Sequence, residues 1–163
     1  MATLKEDILQ QAEWLVKPFE QDGYTLDFSV RSLIEVDRFF LKHLKDGSPR
    51  RGGRLTKNYG AIVFSISSYI AQVLIKNMPG SQLITDDADP LGEVNFAVKF
   101  PDGSICWPAQ KVAKRIKNGL EDGIYPYVYS LTENSISEKF DETFWQIGGA
   151  VTPAETKAWW KFW

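Results

Sequence analysis

The segment from Tyr59 to Asn77, YGAIVFSISSYIAQVLIKN, constrains the fold more than any other part of the chain. Read as a helix, it is apolar on nearly every side, and such a helix is stable in water only when the rest of the protein buries it. Polar side chains interrupt it well short of the roughly 18 apolar residues of a membrane span; they are Ser65, Ser67, Ser68, Tyr69 and Gln72. The segment therefore predicts a central core helix, closed by Pro79-Gly80, and not a membrane anchor.

Two amphipathic helices are predicted before the central one. Thr3 and Glu6 match a capping box, and the first helix has one apolar face made of Leu4, Ile8, Ala12, Leu15 and Phe19. The second begins at Ser29, whose side chain suits an N-cap, and ends at Gly47, a natural helix stop. Its apolar stripe consists of Leu33, Val36, Phe40 and Leu44. Each helix therefore has one face to bury in a core.

A small antiparallel sheet is predicted after the central helix. SQLIT, residues 81–85, predicts a short strand, and EVNFAVKF, residues 93–100, alternates apolar and polar side chains as a half-buried strand does. The PDG sequence at 101–103 is a strong turn signal, and SICW at 104–107 predicts the returning strand.

Three more helices are predicted towards the C-terminus. Pro108 suits the first turn of one helix, IYPYVYSL at 124–131 predicts another, and Thr152-Pro153 opens the last. The order of elements predicts one α+β domain over residues 1–163, with N-terminal helices and the buried central helix packed on a small antiparallel β-sheet, followed by C-terminal helices. Residues 135–163 form a C-terminal extension of this domain, either docked on its body or exposed.

The composition excludes several kinds of chemistry. The net charge of −2 provides no general basic field for nucleic acid. His43 and Cys106 are the only histidine and cysteine, and no ligand spacing or activated nucleophile surrounds them. We predict no metal, no cofactor and no membrane association. The absence of a disulfide framework and of a secretory signal pattern predicts a cytoplasmic protein.

Asp37 is the carboxylate with the most unusual predicted position. On the second helix it lies about 40° from Leu33 and about 60° from Phe40, inside the apolar stripe. A carboxylate there is costly unless it is paired or hydrogen-bonded. Asp37 is therefore either a structural hydrogen-bonding group, which we favour, or a general base in a cleft, which requires a second positioned group.

The stretch DGSPRRGGRLTKN, residues 46–58, is locally basic, with Arg50, Arg51, Arg54 and Lys57 as candidate anion-binding residues. Its glycine spacing is like that of a P-loop, but Gly53 stands where the phosphate lysine belongs, and a helix precedes it instead of a strand. It leads into a helix N-terminus near Asn58, where free N–H groups favour an anion. The stretch is therefore either a solvated connection or an anion site.

The last predicted helix ends in four aromatic side chains, Trp159, Trp160, Phe162 and Trp163. At helical spacing, Trp159, Phe162 and Trp163 share one face, and Trp160 points about 100° away. This helix either packs on its own domain or anchors another chain, since aromatic residues concentrate in interface hot spots.

Three segments between residues 24 and 132 together resemble a family of uncharacterised bacterial domains. LDFSVRSLIEVDRFF resembles an L-D-x-S-x-x-S-L-x-x-V-D helix, and WPAQKVAKRIKNGLED resembles a P-x-x-K-V-x-K-R-x-x-N-G-x-E-D segment. SSYIAQVL corresponds to G-x-Y-x-G-E-V, with Ser67 and Ala71 in place of the glycines and Gln72 in place of the acid. Gly123 stands where the family usually has serine. The resemblance implies an α+β domain and assigns no activity.

These patterns favour a binding protein over an enzyme. Our first hypothesis is a non-catalytic bacterial accessory or immunity-type protein that binds a macromolecular partner, such as another protein, through residues 153–163. The alternative is a module that binds an anion, a phosphate-bearing ligand or nucleic acid through the basic 46–58 stretch, although the net charge argues against nucleic acid. An enzyme that uses Asp37 is the third hypothesis.

Overall fold

A computed structural model of the chain describes residues 2–148, which form an α+β fold. The helices are α1 (Leu4–Gln21), α2 (Leu33–His43), α3 (Tyr59–Asn77), α4 (Gly92–Asn95), α5 (Pro108–Asn118) and α6 (Ile124–Thr132). The strands are β1 (Leu44–Lys45), β2 (Ser48–Pro49), β3 (Gln82–Ile84), β4 (Ala97–Lys99) and β5 (Ile105–Cys106). Short 3₁₀ helices cover Arg54–Thr56, Gly119–Asp122 and Glu142–Gln146.

The central helix is α3, as its composition predicts. Every residue from Ser65 to Leu74 is buried, because α1 covers one side and α5, α6 and β4 cover others. Gln11 of α1 hydrogen-bonds Ser65, while Leu9 shares a cleft with Ile75 further along α3. These contacts make α1 and α3 antiparallel neighbours. The first six residues of α3 are not buried, so the helix is apolar all round but is covered only from its second turn.

The burial of α3 also decides how its hydropathy is interpreted. The helix is long and apolar enough to cross a membrane by length and composition, but 56% of its most apolar window is buried inside the protein. Its apolar side chains pack on the domain's own helices and sheet, so α3 is a core helix.

The sheet forms where it was predicted, with one correction. β3, β4 and β5 are consecutive antiparallel strands, and the PDG turn joins the last two. The predicted strand over 93–100 is wrong in its first half, where the chain forms the one-turn helix α4. A Cβ at Gly92 would lie 2.8 Å from the side chain of Leu4. This close packing against α1 places a compact turn at Gly92, and only the later residues alternate as a strand.

The second helix is shorter than its pattern predicted. α2 ends at His43, and Gly47 is not its stop but part of a tight turn between β1 and β2. Asp46 and Gly47 both have positive φ, 53° and 82°, as an Asp-Gly hairpin turn requires. The regular helix starts at Leu33, although the Ser29 hydroxyl accepts the N–H of Ser32 as a capping group would.

Residues 135–148 pack against α6. Phe144 is buried against Tyr125 and Phe140, and the Tyr125 hydroxyl accepts the N–H of Asp141. The Asp141 carboxylate in turn pairs with Arg31 near the start of α2. Residues 149–163 lie outside the described part of the chain. The predicted last helix and its candidates Trp159, Trp160, Phe162 and Trp163 are therefore not placed by the structure.

Candidate functional site

Asp37 lies at the centre of a closed polar network that joins three helices. Its Oδ1 accepts the Nε–H of Arg115 on α5 at 2.7 Å and the backbone N–H of Ile124 at 3.1 Å. Its Oδ2 accepts the N–H of Tyr125 at 2.9 Å. Arg115 also donates to the Asp37 carbonyl. Asp37 therefore joins α2 to α5 and supplies the N-terminal acceptor of α6, which Gly123 cannot provide from its own side chain.

The network leaves no free carboxylate edge for catalysis. Both Asp37 and Arg115 are buried. Burial raises the pKa of Asp37, and the Arg115 charge and the two backbone N–H donors work against that rise. A general base must reach a substrate proton, and this carboxylate faces only protein donors. The geometry is that of a structural ion pair.

The two longer segments of the family resemblance meet at this ion pair. Asp37 belongs to the first segment and Arg115 to the second, so each residue is the buried ion-pair partner of the other. The departure at Gly123 has a packing reason, because a Cβ there would lie 2.8 Å from the Phe144 ring. Asp37 and Arg115 of these two segments thus have a structural role in this fold.

The four basic candidates separate into two pairs. Arg50 donates its Nε–H to the Leu44 carbonyl at 3.0 Å and stabilises the β1–β2 hairpin. Arg51 is exposed at the end of that hairpin. Arg54 and Lys57 lie further along, and both line a groove between α1 and α3. Arg54 forms a two-point ion pair with Asp22, at 2.7 and 3.0 Å, whereas Lys57 has no ion pair within residues 2–148.

This α1–α3 groove has a volume of about 980 Å³, which is within the range of small-molecule sites. Its apolar lining comes from α1, α2 and α3 and consists of Trp14, Leu15, Pro18, Phe19, Phe39, Ala61 and Ile62. Its polar lining consists of Gln11, Asp22, His43, Arg54, Thr56, Lys57, Asn58 and Ser65. Asp22 is the single acidic side chain in this lining, so the groove is locally basic.

The start of α3 borders the same groove. Asn58 has a left-handed conformation, φ 58°, and its side chain caps nothing. The first helical hydrogen bond runs from the N–H of Ile62 to the Asn58 carbonyl. The N–H groups of Tyr59, Gly60 and Ala61 therefore have no acceptor in the described chain, and they add partial positive charge beside Lys57.

His43 adds an unsatisfied polar group to the groove wall. It is only 7% exposed, and its Nδ1 accepts the backbone N–H of Arg54 at 3.2 Å. Burial lowers the pKa of His43, and Lys42 lowers it further. The neutral ring then carries its proton on Nε2, and this buried atom has no partner among residues 2–148. Buried donors of this kind are usually hydrogen-bonded, so His43 is a polar point in an otherwise largely apolar part of the groove wall.

The thiol and the acidic clusters offer no comparable site. Cys106 is buried, accepts a hydrogen bond from the Tyr127 hydroxyl, and has a pKa raised by burial. No group of three or more histidine, cysteine or acidic side chains in the described part of the chain is placed to hold a metal ion.

A second surface of interest is the outer face of the sheet. The alternation of β5 puts Ile105 and Trp107 on one face and buried Cys106 on the other, and the register with β4 and β3 puts Ile84 on the same outer face. All three apolar side chains are 43% exposed. Large apolar side chains exposed together on a sheet are typical of interaction surfaces.

Sequence reasoning missed the groove because its parts are far apart along the chain. It identified Arg54 and Lys57 but not Trp14, Asp22 or the role of His43. One signal was present: the first residues of the apolar α3 segment follow a basic stretch directly, with no residue suited to capping except Asn58. Comparisons of the chain with family models, curated proteins and solved structures found no match.

Proposed function

We propose that the protein is a non-catalytic, cytoplasmic binding protein whose ligand carries a phosphate or another small anionic group. The ligand would be bound at the end of the α1–α3 groove where α3 begins. The observation that carries this proposal is that Lys57, Arg54 and Ala61, in the first turn of α3, line the same end of the groove. The N-terminus of a long helix with a cationic side chain beside it suits an oxyanion.

The charge balance at this edge supports a small anion over a polyanion. The Asp22 carboxylate already pairs with the Arg54 guanidinium, so the net positive charge at this edge of the groove is small. The exposed face of α1 carries Glu13 and Glu20 nearby, which would repel an extended nucleic acid backbone. A single phosphate or carboxylate fits between Lys57 and the start of α3 without meeting these acids.

A charge reversal at Lys57 tests the anion site. Inorganic phosphate and pyrophosphate titrated into the wild-type chain are expected to shift the amide resonances of Tyr59, Gly60 and Ala61 in ¹H–¹⁵N spectra. Lys57→Glu is expected to weaken this binding at least about tenfold, because a charge-assisted contact of about 1.5–3 kcal/mol is replaced by repulsion. High salt should weaken it in the wild type as well.

The matched control is Arg51→Glu, which makes the same change of charge on the same connection but outside the groove. It is expected to leave phosphate binding within about twofold of the wild type, since exposed charges further away are screened. If Lys57→Glu and Arg51→Glu weaken phosphate binding equally, the binding depends only on the overall charge of residues 46–58. No amide shift at any phosphate concentration would rule out the site.

A second candidate function is the binding of another protein, in the manner of a bacterial accessory or immunity protein. The observation that favours it is the outer sheet face, where Ile84, Ile105 and Trp107 are exposed together. An interface core is typically built from such side chains. The aromatic residues predicted at 159–163 are a separate candidate for the same role.

Capture experiments with the tagged full chain distinguish these surfaces. If the sheet face is the interface, Ile84→Lys is expected to abolish capture of a specific partner, because it places a charge among apolar contacts. Trp145→Lys, at another partly exposed aromatic, should retain it. Loss of capture only when residues 153–163 are removed would assign the role to the C-terminal segment. Identical captured proteins from all variants would exclude a specific partner.

A further inference from the structure

The α1–α3 groove is charged at one end and apolar in its middle, and the uncharged pair Gln11–Ser65 lies at its other end. This inference rests on the proposed anion site and extends it: we propose that the ligand is a free, single-chain amphiphile, such as an alkyl phosphate or a fatty carboxylate. Its anionic head would lie at Lys57 and the start of α3. Its hydrocarbon chain would run along α1 towards Gln11.

The order of residues along α1 gives the groove this polarity. Asp22, at the end of α1, pairs with Arg54 and marks the polar end. One and two turns back along the same helix, the lining changes to Pro18, Trp14 and Leu15. The opposite wall changes in the same direction, from Lys57 and Asn58 to Ala61 and Ile62, because α3 runs antiparallel to α1.

The apolar end is closed by a hydrogen bond across the groove. The Ser65 hydroxyl donates to the Gln11 side-chain oxygen at 2.7 Å and thereby joins α3 to α1. From Asp22 to Gln11 the groove follows α1 for about 16 Å, at about 1.5 Å per residue. The Ser65 hydroxyl and the Gln11 side-chain oxygen are engaged in this bond, so the hydrocarbon chain would end before it, beside Leu15 and Ile62.

Trp14 is placed to cover such a chain. Its side chain is 53% exposed although it lines the groove, so a hydrocarbon chain in the groove would remove apolar surface of Trp14 from water. At the other end, the Lys57 ammonium and the N–H of Ala61 suit the oxygens of an anionic head, and both residues line the groove.

A nucleotide and a membrane surface fit these features less well. In the middle of the groove the polar edges of a nucleobase would lie against Pro18, Trp14, Leu15, Ala61 and Ile62, and unpaired polar atoms are costly in such a site. A lipid bilayer with anionic headgroups would meet Glu6, Glu13 and Glu20 on the exposed part of α1, against Lys5 and Lys17, so this part of the helix is net acidic. Basic residues, and not acidic ones, are expected on a surface that binds such membranes.

A series of alkyl phosphates tests the inference on the full chain. Inorganic, butyl, hexyl, octyl and decyl phosphate would be titrated below their micellar concentrations and followed by calorimetry. The dissociation constant is expected to fall by about fourfold for each added methylene, the factor that corresponds to burial of one CH₂ group. The improvement should stop once the chain exceeds the length of the groove.

Trp14→Ala is expected to weaken octyl phosphate binding about tenfold while leaving inorganic phosphate unchanged, because it removes the cover of the chain and not the head site. Leu9→Ala is the matched control, since Leu9 is also a large apolar side chain exposed on α1, at 42%, but lies outside the groove. It should bind both ligands as the wild type does.

The possible failures are distinguishable. Binding of inorganic and alkyl phosphates with equal affinity would leave the anion site intact and overturn the amphiphile. No binding of any phosphate would overturn the anion site and the amphiphile together. Tighter association with vesicles containing anionic lipid than with monomeric octyl phosphate would mean that the groove serves a membrane surface, which would also overturn the free amphiphile.

Discussion

Replacement of Arg115 with methionine is expected to lower the free energy of unfolding by about 3–5 kcal/mol, the usual result of removing one partner from a buried ion pair. The variant leaves the Asp37 carboxylate buried, with two backbone N–H donors and no charge to balance it. Methionine retains most of the apolar stem, so the loss should come mainly from the charge. Urea unfolding followed by circular dichroism measures the change.

Lys114→Met is the control for this experiment. It removes one positive charge from the same turn of α5 at an exposed position, and its effect should stay within about 0.5 kcal/mol. A loss of less than about 1 kcal/mol in the Arg115 variant would mean that Asp37 finds other compensation. In that case the three-helix network would not be a principal support of the fold.

Double replacement separates the ion pair from the N-terminal acceptor of α6. Asp37→Leu combined with Arg115→Met removes both charges, and an apolar pair often restores part of the stability that a single replacement loses. Recovery here should be incomplete, because the N–H groups of Ile124 and Tyr125 would lose the acceptor that they have among residues 2–148. The size of the remaining deficit reports how much α6 depends on Asp37.

The sequence predicted the elements whose signals are local. The central helix, the PDG turn and the helix opened by Pro108 all follow from residues within one or two turns of each other. The prediction failed where a distant contact decides the structure. EVNFAVKF alternates as a strand does, but the contact of Gly92 with Leu4 makes its first half a turn, and no local pattern reports a contact of that range.

In the candidate site, too, the sequence identified individual residues but not their partners far along the chain. Asp37 was recognisable because a carboxylate on an apolar stripe needs a partner, but the sequence could not show that Arg115, on a helix far along the chain, supplies it. The basic stretch was recognisable as a unit, yet only Arg54 and Lys57 line the groove, while Arg50 is bonded to the Leu44 carbonyl of the β1–β2 hairpin. The charge pattern along the chain identified the basic stretch 46–58. Only the fold shows which of its four basic side chains line the groove.

Phe144→Ala is expected to cost about 3–5 kcal/mol of the free energy of unfolding, as for other buried phenylalanines. Phe144 is 1% exposed and contacts three aromatic rings, those of Tyr125, Phe140 and Trp145. Its ring also fills the space beside Gly123, where α6 begins. Truncation to alanine would leave a cavity beside the N-terminus of α6, whose N–H groups the Asp37 carboxylate accepts. The loss of stability should therefore extend into the main core.

Two measurements decide whether residues 135–148 belong to that core. Trp145→Ala is the control, because Trp145 is its immediate neighbour but partly exposed, and its cost should be about 1 kcal/mol or less. Hydrogen exchange at the amide of Asp141, bonded to the Tyr125 hydroxyl, reports the docking of the segment directly. If Phe144→Ala exposes this amide but leaves global unfolding unchanged, the segment opens independently of the helices. Loss of both together would mean that the fold from α1 to Gly148 unfolds as one cooperative unit.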